Sequence, residues 1–474
     1  MRRLLYISLL LIAACTRNPY PNIDNPNYGG GTMTDQNIIA YIDQRLMEEY
    51  YWLDEVEQKS ERFNRDVAWE NYLKGALSML ETNSDDGYIN SKGQRVFYSY
   101  IRDITSSTRG SISGFGIGLH YTIALIDSDN NHYGFLVDNV YADSPAAAAD
   151  VKRGDVITMI DGSYITANNY AVFFNKINGN TASSVRLSLR RQTTGDSYSV
   201  ELKKAAYEDS PVAHYEVINI DDMKVGYVVY TSFDSEYDNE LVAALQSLAA
   251  EGVEDVILDL RINGGGAVNS AVTLCSALMP ETFEGATLCS VVRNKRNTKS
   301  EQMSAFTLEN TGSTLALERL TVIASGYSAS ASELVIMGLR GLDVPVTLIG
   351  STTEGKNCGM DVTRRTIDGK MVEFAPITFM CFNAKGVGDW GEGITPDIDL
   401  TVDSNGLGVS DKNYPIPRAD WGDYNHDIAL AVALGHVTGK KVSQPTRSYA
   451  PIELPVVASV ERPMEGIRFY KEGE

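Results

Sequence analysis

The stretch LTVIASGYSASASELVIMGLRGLDVPVTLIG, residues 320–350, decides the fold. Its first six residues are an apolar run of strand length. ASELVIMGLR then repeats apolar residues at helical spacing, and VPVTLIG is a second apolar run. The same alternation continues upstream. VGYVVYTSF (225–233) and VEDVILDL (253–260) read as strands, and LVAALQSLAAEG (241–252) and NSAVTLCSALM (269–279) as helices. Strands and helices in this order predict an α/β core with substantial parallel sheet, placed at residues 215–440.

Nearer the N-terminus the texture changes. GFGIGLHYTIALI (114–126), HYGFLVDNV (132–140), DVITMIDG (155–162) and SVRLSLRR (184–191) are short β-like runs punctuated by glycine, so residues 113–205 are expected to be β-rich. Ile38, Ile42, Leu46 and Tyr50 lie at four-residue spacing and a second helical pattern covers 68–80, giving an N-terminal helical unit over 35–105. Residues 15–34 hold three prolines and three consecutive glycines, a composition that suits a tether. Residues 441–474 contain prolines and little pattern and are expected to form a C-terminal tail.

The beginning of the chain, MRRLLYISLLLIAAC, sets two arginines before an eleven-residue apolar stretch. A bilayer span takes about 20 residues, so residues 1–14 read as a secretory signal. Ile12-Ala13-Ala14-Cys15 resembles a bacterial lipobox, which implies lipidation at Cys15 and a membrane-tethered protein of the cell envelope. Thr16, rather than an acidic residue, favours the outer membrane, facing periplasm or cell surface. A plain signal peptide with an incidental cysteine is the simpler alternative.

Composition narrows the rest. With 41 Lys+Arg against 62 Asp+Glu the formal charge is −21, which phosphate would repel unless a basic face were concentrated somewhere. The longest basic cluster, Arg293, Lys295 and Arg296, is too short for that, so no nucleic acid is expected. Besides Cys15, the cysteines Cys275, Cys289, Cys358 and Cys381 match no zinc spacing and read as core or free thiols; neither metal nor cofactor is expected.

The five histidines are His120, His132, His214, His426 and His436, leaving none between residues 215 and 425. Proton transfer inside the core must therefore use Asp, Glu, Lys, Tyr or Cys. Three segments can supply a site. Ser328-Ala329-Ser330-Ala331-Ser332-Glu333 lies between a strand and a helix, where N–H groups of the helix start are free to face a ligand. Taken alone, Ser330-x-x-Glu333 is a capping box and needs no chemistry. Gly350-Ser351-Thr352-Thr353-Glu354-Gly355-Lys356-Asn357 comes one residue short of a P-loop, but Asn357 replaces the magnesium-binding hydroxyl and strands follow in place of a helix. If Lys356 is no phosphate ligand, burial would make it a usable general base, although an exposed turn lysine is the commoner case. Asp259-Leu260-Arg261-Ile262-Asn263-Gly264-Gly265-Gly266 could aim main-chain N–H groups into a site, or be a flexible turn.

In order, DLRINGGG, SASASE, G-x-x-T-x-G-K and Gly393-Ile394-Thr395-Pro396-Asp397 resemble the carboxyl-terminal processing (tail-specific) peptidases, over about residues 114–402. The resemblance implies a crotonase-like α/β protease core preceded by a β-rich PDZ domain. Gly114, Phe115, Gly116, Ile117 and Gly118 would be its carboxylate-binding loop. By position, Ser330 matches the nucleophile and Lys356 the general base. Ala331 N–H and the glycine run, Gly265 and foremost Gly266, match the oxyanion hole. Ser330 and Lys356 lie one residue farther apart than is usual. Met360 stands where many members carry a glutamine that orients the lysine, so Thr353 or Glu354 is expected to hold Lys356 instead. The implied protein is an exported serine endopeptidase that senses free C-termini of protein or peptide substrates. The alternatives are a PDZ peptide-binding lipoprotein on an inactive protease body, favoured by Met360, and a nucleotide hydrolase built on the near-P-loop.

Overall fold

The computed structural model describes residues 32–89, 93–105, 113–127, 130–178, 182–297, 303–309, 311–312, 315–400, 418–442 and 467–470; the signal, the lipobox and Cys15 lie outside them. The first helix, α1 (Met33–Glu49), starts at a capping box. The Asp35 N–H donates to Thr32 Oγ1 at 3.2 Å, and the Thr32 N–H donates to Asp35 Oδ2 at 2.7 Å. Ile38, Ile42 and Leu46 are fully buried, as their spacing predicts, and Tyr50 caps the helix end with them. Two shorter helices, α2 (Leu53–Lys59) and α3 (Trp69–Leu77), complete the helical part. The chain then runs through β1 (Tyr88–Ile89), β2 (Arg95–Val96) and β3 (Tyr100–Asp103). Asp86 organises this turn from a fully buried position. It accepts hydrogen bonds from Tyr50 Oη at 2.8 Å, Ser99 N at 2.8 Å and Ser99 Oγ at 2.7 Å.

The β-rich unit contains β4 (Ser113–Gly116), β5 (Leu119–Asp127), β6 (His132–Val140), α4 (Pro145–Ala148), β7 (Val156–Ile160), β8 (Ser163–Thr166), α5 (Tyr170–Asn178), β9 (Ser184–Arg190) and β10 (Ser197–Lys203). Its sheet runs β10-β9-β7-β8-β6-β5, so β5 is an edge strand. Beside β5 lies α5, whose Phe174 ring meets Tyr121 edge-on and whose Asn178 Nδ2 donates to the Tyr121 hydroxyl at 2.6 Å. A strand leaving the unit, β11 (Ala205–Glu208), returns to pair antiparallel with β4.

The predicted alternation then unfolds in order: β12 (Val212–Ile220), β13 (Met223–Tyr230), α6 (Asp238–Ala250), β14 (Asp255–Asp259), α7 (Val268–Leu278), β15 (Thr287–Arg293), β16 (Met303–Thr307), β17 (Leu320–Ala324), α8 (Ala331–Gly341) and β18 (Val346–Gly350). A long hairpin follows, β19 (Cys358–Ile367) with β20 (Lys370–Ala375) and its continuation β21 (Ile377–Asn383). After it come β22 (Ile398–Asp399), α9 (Ile428–Thr438) and β23 (Ile467–Tyr470). The core sheet has the order β12-β13-β14-β17-β18-β22 and is parallel from β13 onward. Helices α6, α7 and α8 cover one face and α9 the other, which is why β17 is buried along its whole length.

Two features go beyond the pattern reading. The helical unit is not a separate body: β3 extends the second sheet by pairing with β20, and its helices share one apolar cluster with Cys358, Met360, Val362 and Phe374. The weakly patterned tail contributes β23, parallel to β19.

A buried ion network joins the β-rich unit to the core. Arg261 grips Asp259 (Nη2 to Oδ2, 2.6 Å) and Asp427 (Nη2 to Oδ2, 2.6 Å), while Arg153 lies 3.7 Å from Asp427 and stacks on Trp421. Losing one member of such a network leaves the others charged and buried. Asp427→Ala is expected to lower unfolding free energy by about 3 kcal/mol in urea titrations of the full chain; a loss below about 1 kcal/mol would assign the network no stabilising role.

Candidate active site

Ser330 stands at the N-cap of α8, at the end of the short turn leaving β17, with φ 62° and ψ −112°. A non-glycine residue held there costs roughly 1–3 kcal/mol, so the surroundings must enforce it. They do so through the flanking serines. Ser328 Oγ donates to the Leu260 carbonyl at 2.7 Å, and Ser332 Oγ donates to the Asn263 carbonyl at 2.9 Å. The outer serines of the alternating run thus staple it to the glycine-rich segment, and the middle one occupies the strained position.

The glycine run is itself braced. Asn263 Nδ2 donates to the Tyr230 carbonyl at 2.9 Å, and Asn263 Oδ1 accepts the Gly265 N–H at 2.9 Å. Gly265 is therefore not an available donor, against the expectation that it serves beside Gly266. The N–H groups of Gly266 and Ala331 carry no hydrogen bond among the described residues. Gly266 has φ 143°, and a Cβ there would lie 2.2 Å from the Phe233 carbonyl oxygen, so no side chain fits.

Lys356 follows β18 on a loop that runs into β19, so a strand occupies the place where a P-loop needs a helix. The side chain is 1% exposed. What brings lysine and serine segments together is Glu333, which sequence reading treats only as a helix cap. Its Oε2 accepts the main-chain N–H of both Ser330 and Lys356, each at 2.8 Å. Its Oε1 accepts Thr353 Oγ1 at 2.6 Å and the Gly355 N–H at 2.7 Å. Burial pushes this carboxyl up to about 7, and the four donors hold it down.

Gly393-Ile394-Thr395-Pro396-Asp397 braces the same loop. Ile394 N–H donates to Thr353 Oγ1 at 2.7 Å, and the Asp397 carboxylate accepts the Leu348 N–H at 2.7 Å. Thr353, expected to hold the lysine, has its hydroxyl directed at Glu333 instead. Met360 lies in the apolar cluster beneath the helical unit. The lysine amine meets residues that sequence reading left out: Nζ sits 4.4 Å from the centroid of the Tyr98 ring, and Asp86 interacts with it electrostatically. The histidines are engaged elsewhere, His120 with Asp138, His214 with Glu216, His426 with Asp423, His436 with Thr347 and His132 against Tyr164.

In the β-rich unit, Gly114, Phe115 and Gly116 are strand-paired with Tyr207, Ala206 and Ala205, so only the end of the expected five-residue loop turns into β5. Ile117 is buried and Phe115 exposed. At Gly118, φ is 76° and a Cβ would meet Ser144 Cβ at 2.1 Å.

Residues 224–400 match peptidase family S41, and residues 136–191 match a PDZ domain. The core is an S41 peptidase domain. A carboxy-terminal-processing protease of Bartonella bacilliformis is 24% identical over 378 residues, covering 79% of this chain and 76% of that protein. A probable CtpA-like serine protease of Staphylococcus haemolyticus is 22% identical over 370 residues, covering 77% of this chain and 69% of its own. A putative S41 protease from Bacteroides fragilis has the same fold, with a TM-score of 0.63 at 22% identity over 84% of this chain and 97% of that one. The S41 domain and the PDZ domain meet at the ion network around Asp427.

Proposed function

We propose that this S41 peptidase cleaves protein substrates with a Ser330–Lys356 dyad and reads their free C-termini on its PDZ domain. The observation that carries the reading is Glu333. One buried carboxylate oxygen accepts the main-chain N–H of both residues, at a helix start and beside a lysine withdrawn from water. Burial favours the neutral amine, which can take the serine proton. The attacking oxygen would add to the scissile carbonyl, and the Gly266 and Ala331 N–H groups would receive the oxyanion. The protonated lysine would then return its proton to the leaving amine. The open edge of β5, flanked by α5, suits an extended peptide added as a strand, with its carboxylate toward the 117–118 turn. The N-terminal signal and Cys15 would tether the protein to a membrane of the cell envelope, the outer membrane favoured.

A fluorophosphonate probe is expected to label Ser330, located by mass spectrometry, in protein that degrades an unfolded substrate. Labelling at another serine, or none with an active preparation, rejects the nucleophile. Met360 favours a second reading, a peptide-binding lipoprotein without turnover. That reading predicts binding of peptide carboxylates over their amides and no cleavage at any pH.

A further inference from the structure

If Met360 is part of the apolar core, something else must hold the lysine amine. Tyr98 lies on the segment joining β2 to β3, and its ring face is 4.4 Å from Lys356 Nζ. Asp86, fully buried, acts electrostatically on both Lys356 and Cys358. Both residues are fixed from behind. Asp86 accepts three hydrogen bonds from Tyr50 and Ser99, and the Tyr88 ring packs at 6.0 Å from that of Tyr98. Cys358 Sγ, two residues past the lysine, donates to the Asp85 carbonyl at 3.3 Å and ties the end of the lysine loop to the same turn.

We propose that Tyr98 of the helical unit is the positioning group for the Lys356 amine, supported by the charge of the buried Asp86 behind it, and stands in for an orienting side chain on the strand that follows the lysine. The inference rests on the dyad reading. Its physical basis is a balance. Desolvation alone disfavours the ammonium that forms when the amine takes the serine proton, and a base unable to hold its proton is a poor catalyst. A ring face and a buried carboxylate each attract an ammonium, so they offset part of that cost and fix the direction of the amine. The helical unit thereby contributes to the site although the family match begins well downstream of it.

The titratable and charged groups that act on Tyr98, Asp86 and Cys358 beside the amine are Asp85 and Tyr88 from the helical unit, Glu333 from α8, Glu354 on the loop and Lys356 itself. The test follows amine protonation directly, through the ¹³Cε resonance of Lys356 in the full chain, assigned by its loss in Lys356→Ala. Tyr98→Leu removes the ring face, and the titration midpoint is expected to fall by about half a pH unit or more. Tyr98→Phe keeps the ring and is expected to keep the wild-type midpoint. A purely structural role for Tyr98 would lower the melting temperature without moving that midpoint. An unmoved midpoint in Tyr98→Leu overturns the proposal. Should that variant fail to fold, Asp86→Asn must show a downward shift, and its absence overturns the proposal in the same way. Cleavage by Lys356→Ala would defeat the dyad itself. An unmoved midpoint alongside an inactive Lys356→Ala would defeat only the present inference.

Discussion

Lys356→Ala is expected to lower turnover of an unfolded protein substrate by about 10⁴-fold or more, and Ser330→Ala by a comparable factor, because a nucleophile and its base act as one unit. Serine oxygen is a weak nucleophile until its proton is taken, and the histidines are held by partners elsewhere. Lys356 is 1% exposed, so Lys356→Ala also opens a void under Tyr98. Lys356→Met fills that space without an amine and separates lost chemistry from lost packing. Equal inactivity of both variants, with PDZ binding of carboxylated peptides retained, is the expected result. Activity within tenfold of wild type in Lys356→Met would end the dyad assignment.

Glu333→Gln is expected to reduce turnover by about 10²-fold or more, a figure in the range for misplaced catalytic geometry. The carboxylate accepts four hydrogen bonds. An amide offers only one acceptor oxygen and sets an NH₂ against the donors at the other position, so either the Ser330–Lys356 side or the Thr353–Gly355 side loses its partner. Acid does to the wild type what this substitution does permanently: a proton on Glu333 blocks one oxygen. Since burial pushes this carboxyl up to about 7, wild-type kcat/KM is expected to fall as pH drops through about 7.

Stability carries the opposite sign. A carboxyl raised from 4.5 to about 7 by folding favours the folded state fully below its unfolded value, and that contribution is lost as pH rises through about 7. The amount is on the order of 3 kcal/mol, so wild-type stability should carry a declining contribution between those values that Glu333→Gln lacks. Urea titrations of both proteins at pH 5 and pH 8 test this; the same pH dependence in both would remove Glu333 from the titration.

Much of the fold is legible from local pattern. The Ile38, Ile42, Leu46 face, the strands VEDVILDL and LTVIAS and the helix ASELVIMGLR all form where their periodicity places them, because each carries its own burial pattern. The carboxylate loop is less legible. Gly114-Phe115-Gly116 is recruited into pairing with β11, whose residues follow the β-rich unit, and a glycine-rich run by itself does not say which strand will reach it. Glu333 was visible as a cap, and its spacing from Ser330 was the available signal. Nothing in that spacing indicates that the lysine loop would fold back onto the same carboxylate.

From its residues alone this chain could be assigned alternating strands and helices, a core without histidine, and a serine and a lysine beside turns, since residue type and periodicity are local properties. Which N–H groups are left without a hydrogen bond among the described residues, and what surrounds the amine, depend on the packed structure. Asn263 captures Gly265 and leaves Gly266, and the segment around Asp86 and Tyr98 closes over Lys356 from a distant part of the chain. Hydrogen-bond partners and loss of water depend on neighbours in space, and those neighbours exist only once the helical unit and the β19 sheet share a core.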